Sequence, residues 1–469
     1  MNHLRTIPLL FAFLLVTSAK AADKPHIILV MADDQGWAQM GYMNHPHLKD
    51  RMPHLDAMAE AGLRFNRFYA AAPVCSPTRA SVMTGRIPAR TGVPGLHKRL
   101  CLQEKTISQA LKKAGYATAH FGKWHLNGVK GPGMPILPDD PNHPGHYGFD
   151  FWLSMTNFFE MDPLLSRMGK FEYTKGETSE IMVREALKFI TEHKEKPTFS
   201  VIWYGSPHHP FICSDADREG FPEGKHGDHL GEIVAMDRSV GQLRKGLRDL
   251  GIEQDTLIWY TSDNGGLSTD PDSTGHLQGF KGSIHEGGIR VPAIIEWPGK
   301  IKPAITDFPA STMDIMPTLV DLLDLPADSM LPVVDGESIA PLLDGKTPKR
   351  SHPIPFTMKG TALIDGDLKL MKIGRGKGAK WALFDLAKDP GEKKDISGDR
   401  PEKFEALKAA ADKVTASVEA SAEGKDYPEG KVIQPQRGTP WMDMPEYQKL
   451  YPTFQKLKPS WKPPGKRKK

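Results

Sequence analysis

Short apolar runs that end in polar residues recur between residues 26 and about 326, and they constrain the fold more than any other feature of the chain. Each run has the length of a buried strand, and stretches with apolar residues at helical spacing lie between the runs. This alternation is typical of an α/β fold built on a parallel or mixed sheet. We therefore expect a large mixed sheet flanked by helices on both faces.

Four of these runs lead directly into polar clusters, each at the point where a buried strand would end. Ligands of open α/β sheets bind beyond the carboxyl ends of the strands, so clusters that are far apart in sequence can converge. We therefore expect one active centre. The runs and their clusters are 26–31 before Asp33-Asp34, 116–121 before Gly122-Lys123-Trp124-His125, 199–204 before Pro207-His208-His209-Pro210, and 256–261 before Asp263-Asn264-Gly265-Gly266.

The segment 75–86, which reads CSPTRASVMTGR, places a lone cysteine at the start of a predicted short helix. Pro77 in the first turn needs no backbone donor and fixes φ in the helical range. The unpaired N–H groups and the positive dipole end of this helix would face Cys75 and favour an anion there. Arg79 lies about one helical turn from Cys75, so its guanidinium can reach the same place. The segment therefore predicts a nucleophile beside an anion clamp.

Oxygen-bearing side chains dominate two of the polar clusters. Asp33, Asp34, Asp263 and Asn264 have no adjoining group of thiolates and imidazoles in the sequence. Such a donor set favours Ca²⁺ or Mg²⁺ over a transition metal. Asp-Asp and Asp-Asn-Gly also form turns, but their position after apolar runs favours a role as metal ligands.

The Cys75, Pro77 and Arg79 pattern, followed by Thr84-Gly85-Arg86, resembles the signature of the type I sulfatases of the alkaline phosphatase superfamily. The resemblance extends over nearly the whole chain after residue 21. It implies that a formylglycine-generating maturation enzyme oxidises Cys75 to formylglycine, whose hydrate attacks the sulfur of a sulfate ester through a covalent sulfated intermediate. It also implies one Ca²⁺ ion, held by Asp33, Asp34, Cys75 as formylglycine, Asp263 and Asn264.

The same resemblance assigns roles to the remaining polar residues. Lys123 would bridge the formylglycine hydrate and the sulfate, and His125 would take a proton from the hydrate when sulfate is expelled. His208 matches the family's Pro-His-x-Pro motif, and Lys281 matches its second lysine, although Phe280 stands where the family often has glycine. Both would contact the sulfate, and either could protonate the leaving alkoxide. Arg79, the two lysines and the calcium ion would stabilise the developing charge.

The rest of the chain divides into helices, loops and a smaller C-terminal unit. Up to residue 326 we predict helices at 106–115, 179–193 and 229–250, the first opened by a capping box of Thr106 and Gln109, with loops at 131–148 and 207–229. Beyond it we predict a small antiparallel sheet with strands at 361–370 and 381–386, a turn at 374–380, and a helix at 401–418.

Residues 1–21 have the pattern of a secretory signal peptide, with Arg5, an apolar stretch from 7 to 16 and the small-residue site Ala19-Lys20-Ala21. The apolar stretch is too short for a stable membrane anchor. We therefore expect an exported protein, periplasmic or extracellular, with no membrane anchor and no nucleic-acid partner. The expected units are the signal peptide 1–21, a catalytic sulfatase domain 22–340, a C-terminal subdomain 341–440, and a basic proline-containing tail 441–469.

Charge and cysteine usage add two expectations. The formal net charge of the 469 residues is +4, and the end of the chain from Lys456 onward is basic, with no acid. This tail could hold an anionic polymer such as a sulfated glycan, or it could be a solvated end. Three cysteines do not make a disulfide scaffold. With Cys75 committed to chemistry, an exported compartment would permit Cys101 and Cys213 to pair, but we expect two isolated buried thiols.

Taken together, these features predict an exported sulfatase that acts on sulfated carbohydrates. Two alternatives stay open at this point. A phosphoester or phosphonate ester hydrolase of the same superfamily would share the fold and the carboxylates, although the signature around Cys75 argues against the phosphate-ester enzymes. A catalytically silent binder of sulfated glycans would share the export signal and the basic tail.

Overall fold

The computed structural model describes residues 24–159, 161–374, 378–433 and 438–463. The predicted signal peptide (1–21), the middle of the predicted turn at 374–380, and Lys466, Arg467, Lys468 and Lys469 of the tail lie outside these ranges. In the described part of the chain, no helix is both long and apolar enough to cross a membrane.

A large mixed sheet forms the centre of the molecule, as predicted. Its strand order is β11-β2-β10-β9-β1-β8-β3-β5-β6-β7, with β12 also paired to β2. Its strands are β1 (His26–Ala32), β2 (Leu63–Tyr69), β3 (Ala117–Lys123), β5 (Phe151–Met155), β6 (Leu164–Arg167), β7 (Lys170–Tyr173), β8 (Thr198–Trp203), β9 (Thr256–Ser262), β10 (Arg290–Glu296), β11 (Ala304–Thr306) and β12 (Ala310–Ser311). The short strand β4 (Val129–Lys130) lies outside this sheet.

Helices cover both faces of this sheet. Alternate residues of β1 point to opposite faces, so Ile27, Leu29 and Met31 enter one apolar core and Ile28 and Val30 enter the other. The first core contains α2 (Cys75–Thr84), α3 (Ile107–Lys113), α8 (Ile315–Leu322) and α9 (Ala340–Leu343). The second contains α1 (Pro53–Ala61), α4 (Thr178–Glu192) and α6 (Lys225–Asp249). The short helices α5 (Asp215–Arg218) and α7 (Glu286–Ile289) lie in connections near the strand ends.

The predicted helices of this domain are confirmed, with one change of boundary. Thr106 and Gln109 form the expected capping box at the start of α3. Helix α6 begins at Lys225 instead of residue 229, and α5 interrupts the stretch 207–229 that we expected to be a loop. Ser214 starts α5 because its hydroxyl accepts a hydrogen bond from the backbone N–H of Asp217.

The smaller C-terminal sheet is antiparallel, as predicted, but it has more strands than we expected. Its order is β13 (Ile354–Phe356), β14 (Ala362–Asp365), β15 (Leu368–Ile373) and β16 (Lys380–Asp385). The single strand predicted at 361–370 was wrong, since Gly366 adopts φ +60° and turns this segment into a hairpin. Helix α10 (Pro401–Ala422) packs on one face of this sheet, and the other face packs against the large domain.

The segment that we expected to be the start of a basic tail packs onto the large domain as far as residue 463. Strand β17 (Thr439–Pro440) pairs with β4, and α11 (Pro445–Gln448) and α12 (Tyr451–Leu457) follow it. Tyr447 and Phe454 are fully buried there in an apolar cluster with Val129 and Met134. Aromatic residues interleaved with the basic ones, and not the charge, therefore decide the conformation of this segment.

Candidate active site

The carboxyl ends of four parallel neighbours in the central sheet meet at one edge. Strand β1 lies between β8 and β9, and β3 lies beside β8, all in parallel register. Met31 is level with Trp203, and Ala32 is level with Ser262, so the residues after each strand emerge together. Of the predicted site residues, this edge brings together Asp33, Asp34, Cys75, Arg79, Lys123, His125, His208, Asp263, Asn264 and Lys281.

Cys75 is the first residue of α2 and is completely enclosed. Val74 before it is extended, so the chain turns into the helix at the cysteine itself. The Cys75 Sγ atom lies 3.9 Å from Oδ1 of Asp34. Burial raises the pKa of the thiol well above its usual range, although Lys123 and Lys281 oppose the shift. An unmodified Cys75 would therefore stay a neutral thiol and a weak nucleophile.

Two lysines neutralise the two consecutive aspartates. Lys123 Nζ donates to Oδ2 of Asp33 at 2.5 Å, and Lys281 Nζ lies 2.6 Å from Oδ1 of Asp34. Burial alone would raise the pKa of each carboxyl, but the lysines hold the pKa of Asp33 and Asp34 below the usual range. Burial would likewise lower the pKa of Lys281, whereas the Asp34 carboxylate raises it above its usual range. The site thus keeps the two carboxylates and the Lys281 ammonium group charged.

The guanidinium of Arg79 faces the carboxylates and does not stand free as the expected anion clamp. Its Nε and Nη2 atoms donate to Oδ2 of Asp263 at 3.0 and 2.7 Å, and Nη1 donates to the carbonyl oxygen of Lys123 at 2.9 Å. The group also lies over the ring of Trp203, 5.1 Å from its centroid. Arg79 therefore orients Asp263 and the end of β3. Even so, burial and the neighbouring Asp33 carboxylate raise the pKa of Asp263 to about 7.

Two oxygen atoms at this edge are suited to a cation. Asp33 Oδ1 and Asn264 Oδ1 are buried and receive no hydrogen bond from any residue that the structure describes. Ligand atoms of Asp33, Asp34, Cys75 and His208 also lie within 4.8 Å of one another. Buried carboxylate and amide oxygens without a donor are costly unless a cation satisfies them. The residues present therefore fit a hard divalent ion.

Three imidazoles and a phenyl ring stand beside these groups. The His125 Nε2 and His97 Nδ1 atoms are 3.2 Å apart, while Nδ1 of His125 is buried without a partner among the described residues. Burial lowers the pKa of His125 well below its usual range and lowers that of His97 to about 4. His208 Nε2 lies 3.7 Å from Oδ2 of Asp34, and its ring stacks on Phe158 with the centroids 4.6 Å apart.

Sequence reasoning missed three residues of this site. His97 contacts His125, Phe158 stacks on His208, and Trp203 packs under Arg79. None of them lies in a motif with chemical meaning. Trp203 is the last residue of β8 and lies near the end of the predicted run 199–204, and that position alone could have indicated its place near the site.

Comparisons with known proteins agree with this geometry. The family model for sulfatases matches residues 25–325. Arylsulfatase A of Homo sapiens is 31% identical over 465 residues, covering 84% of this chain and 88% of that protein. N-acetylgalactosamine-6-sulfatase of Mus musculus is 32% identical, covering 78% of this chain and 73% of that protein. Among solved structures, Ps i-CgsB in complex with k-i-k-neocarrahexaose has a TM-score of 0.76 at 25% identity, covering 92% of this chain and 99% of that chain.

The molecule has a large mixed sheet with carboxylates and cations gathered at its strand ends. This architecture places it in the alkaline phosphatase superfamily. Within that superfamily, the comparisons identify the family. The chain belongs to the sulfatase family and is a sulfuric ester hydrolase.

Proposed function

We propose that this sulfatase is exported and removes sulfate from sulfated carbohydrates, with Cys75 converted to formylglycine and one Ca²⁺ ion bound at the strand ends. The observation that carries the proposal is the pair of buried, unsatisfied oxygens of Asp33 and Asn264 beside residue 75. An enzyme that used the Cys75 thiol alone would have no need of these oxygens, and burial would keep that thiol protonated.

Asp33, Asp34, Asp263 and Asn264 would hold the ion, together with residue 75. The bound ion would supply positive charge that draws electron density from the sulfate oxygens. In the family, the hydrate of formylglycine supplies the nucleophilic hydroxyl, which a thiol cannot replace. Arg79 would fix the orientation of Asp263 through its paired hydrogen bonds, so that the ligands are arranged before the substrate arrives.

The lysines and histidines would bind the sulfate and move protons. Lys123 and Lys281 place ammonium groups beside the two aspartates, where they can hold the singly charged sulfate ester group by charge and hydrogen bonds. His125 would act as the base, because burial keeps its ring neutral and leaves Nδ1 without a partner among the described residues. His208 or Lys281 would protonate the departing alkoxide, since both lie beside the Asp34 carboxylate.

The carbohydrate assignment is supported by the neighbour with the bound neocarrahexaose and by the open side of the site. His209 beside His208 is exposed, and Lys281 is partly exposed, so a substrate can approach from this side. The predicted signal peptide is the basis for export.

The deciding experiment combines mass spectrometry with matched substrates. Protein from its native producer is digested, and the mass of the peptide containing residue 75 is measured. We expect the mass of the aldehyde form, and we expect hydrolysis of an aryl sulfate to exceed that of the phosphate and phosphonate esters of the same phenol. Calcium chelation should abolish the activity, and added Ca²⁺ should restore it.

A Cys75→Ala variant is the matched control, because it keeps the fold and removes the precursor of the nucleophile. An unmodified thiol in a host that matures other sulfatases would overturn the proposed chemistry. A faster reaction with the phosphonate ester would instead favour the phosphonate hydrolase, and glycan binding without turnover would favour the silent binder.

A further inference from the structure

A groove lies next to the active site and is walled on one side by the segment 439–463, which we call the C-terminal strap. The groove has a volume of about 320 Å³, which is within the usual range of ligand pockets. Its other wall is formed by residues 132–135 and by Phe158 and Phe159. None of these positions belongs to the motifs around the catalytic residues.

The groove adjoins the catalytic centre at a single ring. Phe158 lines the groove, and its ring stacks on the imidazole of His208. The backbone N–H of Gly133 donates to the Phe158 carbonyl oxygen at 3.0 Å, and a Cβ at Gly133 would lie 2.1 Å from that oxygen. This contact holds the two parts of that wall together, and Phe158 contacts both the groove and the imidazole of His208.

The C-terminal strap is fixed firmly enough to serve as a wall. Trp441 Nε1 donates to the Pro132 carbonyl oxygen at 3.1 Å, and Tyr447 Oη donates to that of Pro135 at 3.0 Å. Trp461 packs against Phe454 and Tyr451, with ring centroids 5.6 and 5.3 Å apart. Trp461 stays half-buried, so part of its indole is available to the groove.

The groove carries positive charge without a matching acid. Its described lining includes Lys458 and Lys462 and contains no carboxylate. Lys458 Nζ donates to the backbone carbonyl oxygen of Asp162 at 2.8 Å, and the carboxylate of Asp162 accepts a hydrogen bond from the backbone N–H of Gly176. Neither lysine forms an ion pair with a carboxylate in the described ranges. Aromatic faces beside ammonium groups that are not paired with a carboxylate are suited to sugar rings that carry anionic substituents.

We propose that this groove binds a further unit of a sulfated oligosaccharide whose terminal sulfate is at the active site, so that the substrate is a chain and not a single sugar. The inference rests on the proposed function, because it extends the carbohydrate that is assigned there. Trp461 and Phe158 provide the stacking surfaces, and Lys458 and Lys462 bind the second anionic group. The C-terminal strap is then a determinant of substrate length.

The test compares Lys462→Glu and Trp461→Ala with the wild type on two substrates. The probes are a small aryl sulfate, which cannot reach the groove, and sulfated oligosaccharides of two to six units prepared from carrageenan and chondroitin sulfate. We expect Lys462→Glu to raise KM for the longest active oligosaccharide about tenfold at low salt, with less change at high salt. Both variants should keep the wild-type kcat/KM on the aryl sulfate, which also shows that they are folded.

Lys456→Glu is the matched control, because it makes the same charge change on an exposed position of α12 that does not line the groove. Equal effects of Lys456→Glu and Lys462→Glu, or equal losses on both substrates, would overturn the groove assignment. Stronger binding of the unsulfated chains than of the sulfated ones would do the same.

Affinity electrophoresis of the same oligosaccharides separates the two proposals. If the wild type hydrolyses no sulfate ester but binds the sulfated chains, and Lys462→Glu weakens that binding, the groove is supported and the proposed function fails. If the wild type hydrolyses the sulfated sugars and Lys462→Glu leaves both KM and binding unchanged, the groove assignment fails and the proposed function stands.

Discussion

Arg79 shows how one buried side chain can organise several others. It is fully enclosed and donates to Asp263 and to the carbonyl oxygen of Lys123. We predict that Arg79→Lys lowers kcat about a hundredfold, because an ammonium group cannot make the paired contacts and small displacements of catalytic groups have effects of this size. Steady-state sulfate release measures the change.

The control for this variant is Arg184→Lys, which makes the same substitution at an exposed position of α4. It should leave kcat and the unfolding transition unchanged. If Arg79→Lys retained more than half of the wild-type kcat, Arg79 would not be needed to position Asp263.

His97 gives a second prediction at the residue scale. Its ring contacts His125, and its backbone adopts φ +58°, a conformation that asparagine tolerates well. We therefore expect His97→Asn to fold normally but to leave His125 without its ring partner. The predicted result is a kcat about tenfold lower with KM nearly unchanged, since the base would be less well oriented.

The exposed His146 offers the matched control, and His146→Asn should have wild-type kinetics. A rise in KM with an unchanged kcat in His97→Asn would place His97 in substrate binding and not in the orientation of His125.

Single residues also show the limits of sequence analysis. The convergence of Asp33, Asp34, Asp263 and Asn264 could be predicted because strand ends in a parallel sheet share one edge. The direction of the Arg79 guanidinium could not, because it depends on a carboxylate that is 184 positions away. Contacts such as those of His97 and Phe158 arise from loop conformations that no local pattern encodes.

At the element scale, the contact between α1 and α6 depends on one buried carboxylate. Asp237 of α6 accepts hydrogen bonds from the backbone N–H groups of His54 and Leu55 in the first turn of α1. Burial nevertheless raises the pKa of Asp237 to about 7. The folded state therefore binds the carboxyl proton of Asp237 more tightly than the unfolded state does.

Because the folded-state pKa is the higher one, the contribution of Asp237 to the free energy of unfolding should fall as the pH rises from about 4 to about 7. Above that pH the contribution should stay constant. We predict that Asp237→Asn removes this part of the pH dependence, so that the variant gains stability relative to the wild type as the pH rises. Urea unfolding at pH 5 and pH 8 measures it. Asp249→Asn, at the exposed end of α6, should keep the wild-type trend.

Helices with strong local sequence signals were predicted closely, whereas strands whose boundaries depend on a turn were not. The capping box fixed the start of α3, and apolar periodicity found α4 and α6. The hairpin of β14 and β15 was missed because its two-residue turn, Gly366-Asp367, interrupts what looks like one apolar strand. Apolar periodicity cannot show where a chain reverses, so that boundary depends on glycine conformation.

At the scale of the whole molecule, the arrangement of the units was the least predictable feature. The C-terminal strap follows a segment rich in proline and charge, and it packs against strand β4 far back in the chain. Its aromatic residues have no partners in their own neighbourhood of the sequence. Their burial becomes intelligible only when the distant apolar surface that they cover is known.

The contact between the large domain and the C-terminal sheet gives the last prediction. Lys369 of β15 is fully buried, and its Nζ lies 3.0 Å from Oε1 of Glu286 in the large domain and 2.8 Å from Oε1 of Glu392. Lys369→Met would remove the ammonium group that two buried carboxylates share, so we expect a loss of about 3–5 kcal/mol in the free energy of unfolding. Lys403→Met, which removes an exposed ion pair to Asp365 in the same subdomain, should cost less than about 1 kcal/mol. Urea unfolding measures both variants, and equal losses would mean that the buried lysine does not hold the two units together.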